Sequence, residues 1–313
     1  MNRAIRTLVR ALVALTLLAC SPDASEPDAR GTDTAGALRV FVVNEPLRYF
    51  AARIGGPHVE VSFPAPAGVD PSTWTPDSET AAAYQTADVV LRSGAGFAGW
   101  VDLVSLPSAR VVDTSAAYRE RLRRRAGAAT HQHGPGGEHS HGELAHTTWL
   151  DPQLAALQAA AAADALVRLR PELESAFQSE LETLVADLGA LDVRLEAAAE
   201  ALGETPLLFS HPVYEYLIGR YELNTRSLHW EPDVPPTAQQ WRELAALTRE
   251  HPARWLLWES APLPEVAREL GERGIESRVF DPCANSPAEG DFLSVMRANV
   301  GTLEAISAAP RGR

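Results

Sequence analysis

Four side chains in this sequence carry atoms that hold a transition metal and stand where a fold gathers its ligands. His146 leads into Trp149-Leu150-Asp151-Pro152. His211 follows the apolar run Leu207-Leu208-Phe209-Ser210. Glu259 follows Trp255–Trp258, and Asp281 follows Val279-Phe280. Imidazole nitrogen and carboxylate oxygen are zinc donors, taken four at a time in a tetrahedron. Singly, each of the four has an ordinary structural reading: a histidine before a helix is a cap or a surface group, and an aspartate before proline closes a turn. A second concentration of imidazole lies just upstream, in the tract HQHGPGGEHSHGELAH, with His131, His133, His139 and His141. Its glycines and lack of hydrophobic period predict a loop, whose histidines either collect metal loosely, the favoured reading, or belong to a solvated linker. Ordering such a loop costs about 1–2 kcal/mol per residue, so it should bind more weakly than a preformed site. Both kinds of site should lose metal as pH falls through about 6.5, because a protonated imidazole has no lone pair to give.

The elements that must position these groups follow from hydrophobic patterning. Residues 37–43, 59–63, 88–92 and 109–113 read as strands, separated by helical segments at 47–54 and 78–86 and by the turn and helix start GAGFAGW after residue 94. Residues 64–76 form a proline-rich loop. From Pro152 to about Leu202 the chain is rich in Ala, Leu, Glu and Arg, which favour helix; Pro171 suits the first turn of a second helix and not an interior. A further alternation follows, with strands at 206–210, 223–228, 255–259 and 277–280 and a closing helix at 292–308. Strands alternating with helices predict parallel sheets covered on both faces. The expected fold is α/β, with two lobes near 37–150 and 203–310 bridged by a long helical linker at 151–202, and a ligand site in the cleft between lobes. Three of the four metal-donor residues (His211, Glu259 and Asp281) then fall at carboxyl ends of strands, where open α/β sheets bind ligands. The remaining groups have bland readings: His58 and His251 as turn and surface residues, Cys283 as a small buried residue, and the tryptophans as core and cleft lining, with Trp74 and Trp230 placed to roof the cleft.

The start of the chain sets the compartment. Arg3, Arg6 and Arg10 precede an apolar run from Ala11 to Ala19, too short to span a bilayer and built like a secretory signal. The run ends in Leu17-Leu18-Ala19-Cys20, which resembles a bacterial lipobox; cleavage at residue 19 would leave Cys20 to carry a lipid. Residues 20–36 then read as a flexible tether. The formal net charge of −13 argues against a nucleic-acid partner, which needs a basic face, and removing the leader makes the chain more acidic still. With Cys20 lipidated, Cys283 has no partner for a disulfide.

Beyond these features, the chain resembles the metal-receptor family of bacterial ABC importers, whose members bind zinc or manganese. HTTWLDP at 146–152 carries the most specific likeness. IGGPHVEVSFPAPAGVDPSTWTP at 54–76, TADVVLRSGAGFAGWVD at 86–102, FSHPVYEYLIGRYEL at 209–223 and FDPCANSPAEGDFLSVMRANVGTLEAI at 280–306 extend it over nearly the whole mature chain. The resemblance implies that His146, His211 and Asp281 are metal ligands, that the cargo is Zn2+ rather than Mn2+ because a histidine stands at 211, and that the partner is an ABC permease. It implies a monomeric receptor and not an enzyme, whose long linker limits lobe opening. A zinc store or chaperone using the histidine loop, and a zinc hydrolase with Glu259 as base, are the competing readings. In one place the sequence departs from the family: the first metal loop usually reads Asp-Pro-His, and here it reads Asp70-Pro71-Ser72. Three readings follow. A water completes the tetrahedron; or Glu259, His229 or Glu231 substitutes, Glu259 being favoured for its place after a strand; or the central site has weakened.

Overall fold

The computed structural model describes residues 36–124, 131–132, 138–139 and 144–310. The expected leader, Cys20, the tether through residue 35, and His133 and His141 lie outside the described residues. In the first lobe β1 (Leu38–Val42) leads to α1 (Glu45–Gly55), β2 (Val59–Ser62), α2 (Ser78–Gln85), β3 (Val89–Arg92) and β4 (Val111–Asp113). The four strands pair in parallel in the order β2-β1-β3-β4. Short 3-10 turns replace the helix expected after GAGF, because Ala95, Gly96 and Ala98 take positive φ, which a helix does not tolerate. Gly94 is required here: at φ +74°, a Cβ would lie 1.9 Å from Ser115 Oγ.

The histidine tract, expected as an irregular loop, carries a two-residue antiparallel ladder between β5 (His131–Gln132) and β6 (Glu138–His139). Local backbone pairing of this kind needs no hydrophobic period, so the patterning gave no sign of it. Two helices follow, α3 (Pro152–Leu169) and α4 (Glu174–Leu202). Asp151 caps α3 through its Gln153 and Leu154 amides, with Pro152 in the first turn. The second lobe runs β7 (Leu207–Phe209), α5 (Glu215–Tyr221), β8 (Thr225–Ser227), α6 (Ala238–Glu250), β9 (Trp255–Trp258), α7 (Pro264–Glu272), β10 (Glu276–Val279) and α8 (Phe292–Ala308). Its sheet is again parallel, in the order β10-β9-β7-β8.

The 29 residues of α4 form the spine, spanning about 43 Å at 1.5 Å per residue. Its buried positions, Leu184, Leu188, Leu191, Leu195, Ala198 and Leu202, alternate at spacings of four and three, which draws one continuous apolar stripe along the helix. That stripe packs against α3 and α8. Small residues on α3 (Ala155, Ala159, Ala162 and Ala163) let the two axes approach closely. A single apolar core therefore runs from Val40 and Leu91 of the first sheet, past Leu188 and Leu195, to Phe209 and Leu257 of the second. A separate cluster, with Leu244, Leu256, Trp258 and Leu270, fills the outer face of the second sheet under α6 and α7. Trp230 belongs to that cluster, against Trp241 and Trp258, and does not roof the cleft. His251 is also buried, not on the surface: its Nε2 meets the Leu207 carbonyl at 3.0 Å, where the ring closes the end of α6 onto the start of β7.

No helix among the described residues is long and apolar enough to cross a membrane. Because the α4 stripe serves both lobes, shortening one of its core leucines should loosen the whole molecule. Leu188→Ala is expected to cost about 2–5 kcal/mol in urea unfolding, in one transition. Val193→Ala, on the exposed face of the same helix, should change stability by no more than about 0.5 kcal/mol. A separate transition for each lobe would contradict the shared core.

Candidate metal centre

The second sheet supplies its groups by register. Phe209 pairs with Leu257 on one side and with Ser227 on the other, so the residues two further on (His211, Glu259 and His229) leave the sheet at one level. The ladder continues past the strand ends through Ser210 N to Leu257 O, Leu228 N to Phe209 O and Trp230 N to Ser210 O, each at 2.8 Å. Asp281 leaves beside them, since Phe280 N bonds Trp258 O at 2.8 Å. A parallel sheet thus delivers four candidate donors from separate parts of the sequence to one edge, its carboxyl edge.

His211 is nearly buried. Its Nδ1 lies 3.1 Å from Glu259 Oε1 and its Nε2 lies 3.9 Å from Glu231 Oε1. The ring of His229 stands at right angles to that of His211, with centroids 6.0 Å apart. Asp281 is held from both sides by Asn299 of α8. The Asp281 amide donates to Asn299 Oδ1 at 3.0 Å, and Asn299 Nδ2 donates to the Asp281 carbonyl at 2.7 Å. The Asp281 carboxylate accepts the Cys283 amide at 2.6 Å. Burial pushes the Asp281 carboxyl above the usual carboxylate range, the Cys283 amide draws it back, and the nearby charge of Glu259 adds to the rise.

His146 comes from the first lobe, half-buried, with its ring edge-on to Phe97 at 5.2 Å. Its neighbours tie it to the other loops. Tyr216 Oη donates to Ala145 O at 3.1 Å, Thr147 Oγ1 donates to Val213 O, and Trp149 Nε1 donates to Pro282 O at 2.7 Å. Tyr214 Oη donates to Phe280 O at 2.6 Å, closing the circuit. The loops bearing His146, His211 and Asp281 are therefore joined to one another by buried hydrogen bonds. Among the described residues, no three His, Cys, Asp or Glu side chains are close enough together to form a ready coordination cluster.

Ser72, which stands where a histidine was expected, is engaged within its own loop. Its hydroxyl donates to Asp70 Oδ2 at 2.6 Å and its amide to Asp70 Oδ1 at 2.8 Å. The loop itself is fastened to the closing segment of the other lobe, because Asn285 Nδ2 donates to Pro66 O and Val69 O, both at 2.7 Å. Cys283 is buried, and burial pushes its thiol far above the ordinary range, as suits a packing residue. His131 and His139 lie in the short ladder, just upstream of His146 in sequence. The supporting residues, Thr147, Tyr214, Tyr216 and Asn299, gave no signal in the sequence, since hydroxyl and amide side chains acting on distant carbonyls follow no local pattern.

The profile of the ZnuA family, described as zinc-uptake complex component A, periplasmic, matches residues 40–306. The chain belongs to this family. Its members are extracytoplasmic metal-binding components of uptake systems, which fits a metal-donor edge built on strand ends. Solved structures share the fold. The metal-dependent lipoprotein YcdH of Bacillus subtilis is 20% identical with a TM-score of 0.74, over 86% of this chain and 98% of that one. The Zn(II)-bound ZnuA-like domain of Streptococcus pneumoniae AdcA is 20% identical with a TM-score of 0.72, over 88% and 100%. The AdcAII protein of the same organism is 19% identical with a TM-score of 0.70, over 87% and 99%. No curated protein sequence matches the chain significantly.

The raised Asp281 carboxyl has a consequence for stability. The fold disfavours its charged form, so Asp281→Asn should stabilise the metal-free protein at pH 7. The gain should be complete above the folded-state pKa and vanish as pH falls toward about 3.9, where the carboxyl is protonated in the unfolded chain as well. Urea unfolding with a chelator at pH 7 and pH 4 checks this; an Asn variant less stable than wild type at pH 7 would contradict it.

Proposed function

We propose that this chain captures zinc between its two lobes and delivers it to the permease of an ABC importer, held at a bacterial membrane by a lipid on Cys20. Supporting the reading above all is the convergence of His211, Glu259 and Asp281 on the carboxyl edge of the second sheet, joined by hydrogen bonds to the loop that carries His146. His146, His211 and Asp281 are the proposed ligands. The mix of imidazole and carboxylate suits zinc better than manganese, which favours oxygen donors throughout. The core shared along α4 leaves little freedom for wide lobe opening, so loading and release would proceed through small movements of the loops. His131, His133, His139 and His141 would gather zinc near the mouth of the site. Residues 1–19 would serve only export, and the receptor would act as a monomer.

Zinc competition titration on a soluble chain beginning at residue 21 tests the reading, with wild type beside His211→Ala and a variant lacking residues 131–141. Wild type and the loop deletion should each hold one ion tightly per chain. His211→Ala should weaken that site at least about a hundredfold, or ~2.7 kcal/mol. The tight site should empty as pH falls below about 6.5, and excess manganese should not displace zinc. Binding that is weak throughout and disappears with the loop would overturn the interlobe site.

A further inference from the structure

The two carboxylates beside His211 stand at different distances from its two ring nitrogens, and the difference assigns them different tasks. This inference rests on the zinc-capture reading. Glu259 Oε1 lies 3.1 Å from Nδ1, a hydrogen-bond distance. A carboxylate there fixes the tautomer and orientation of a metal-binding imidazole and presents the other nitrogen to the ion. That other nitrogen, Nε2, lies 3.9 Å from Glu231 Oε1. Two donors bound to one zinc at about 2.0–2.1 Å and a tetrahedral angle stand about 3.3 Å apart. Closing that gap asks for a shift of about half an ångström, within the reach of a rotamer adjustment in a half-exposed glutamate.

We infer that Glu231 is the zinc ligand that takes over from the missing first-loop histidine, and that Glu259 is a positioning residue which orients His211 without touching the ion. The segment carrying Glu231 is built for this. Trp230 is buried in the second-lobe core, and its amide bonds Ser210 O next to His211. His229 O accepts Gln240 Nε2 at 3.0 Å from the first turn of α6, and Pro232 O accepts the Leu263 amide at 3.0 Å. Glu231 is thus held between three anchors on a rigid part of the second lobe. Ser72, whose hydroxyl is turned onto Asp70, offers only a neutral hydroxyl, a poor zinc donor beside carboxylate or imidazole. The coordination set moves accordingly. Three of its four ligands, His211, Glu231 and Asp281, come from the second lobe, and His146 alone comes from the first.

Zinc affinity and the visible spectrum of the Co(II)-loaded chain lacking residues 1–20 and 131–141 separate these roles, with thermal unfolding of each metal-free variant as a control for folding. Glu231→Gln should weaken zinc about a hundredfold and change the intensity and position of the Co(II) d–d bands. Adding Ser72→His to it should restore affinity to within about tenfold of the parent. Glu259→Gln should weaken zinc about 10–100-fold while leaving the Co(II) bands in place, and Ser72→His should not rescue it. If wild type binds tightly and His211→Ala does not, but Glu231→Gln leaves affinity and spectrum unchanged, the ligand assignment fails while the capture reading stands. A spectrum altered by Glu259→Gln instead would reverse the two roles. Absence of tight binding in the parent would bring down the capture reading itself.

Discussion

Everything about the candidate centre depends on buried hydrogen bonds from side chains to main-chain carbonyls of distant loops. Thr147 reaches Val213, Tyr216 reaches Ala145, Trp149 reaches Pro282 and Tyr214 reaches Phe280. Each donor is buried, so losing its acceptor would leave an unsatisfied polar group in the core, at a cost of about 1–3 kcal/mol. Loops at the ends of strands are ordinarily the most mobile parts of an α/β protein. Here they are bound to one another by buried hydrogen bonds. These bonds tie the loops carrying His146, His211 and Asp281 to one another.

The apolar spine reinforces this constraint. Because the α4 stripe contributes to the core of both lobes, a wide hinge would have to expose leucine surface that is buried in both. Burial of about 25 cal/mol per Å2 makes such exposure expensive. On the proposed function, capture and release would fall to local changes: rotamers at the partly exposed glutamates, and the fastening of the 64–76 loop to Asn285.

Preorganisation carries a cost in the metal-free state. Asp281 is partly buried close to the charge of Glu259, and desolvation with that charge pushes its carboxyl upward. A divalent cation would relieve both effects at once. Asn299 clamps the main chain of Asp281 from both sides and holds that residue in place.

Much of this was legible in the chain. Alternating strands and helices, the glycine-poor run from Pro152 to Leu202, and the cap at Asp151-Pro152 determined the element order and the parallel sheets, because period, propensity and capping act over a few residues. They also put His211, Glu259 and Asp281 at strand ends. Other features escaped. The buried place of His251, the core role of Trp230 and the ladder at His131–Gln132 depend on what packs or pairs across the fold. The closeness of Glu231 to His211 likewise comes from the register of β7 with β8 and from the anchoring of Trp230 on Ser210. Residue type and local patterning fix which side chains can donate to a metal and which end of the sheet they occupy. Which nitrogen of His211 meets which carboxylate follows from packing instead, because it is a matter of ångströms set by contacts between segments about 20 to 50 residues apart, beyond the range of any local pattern.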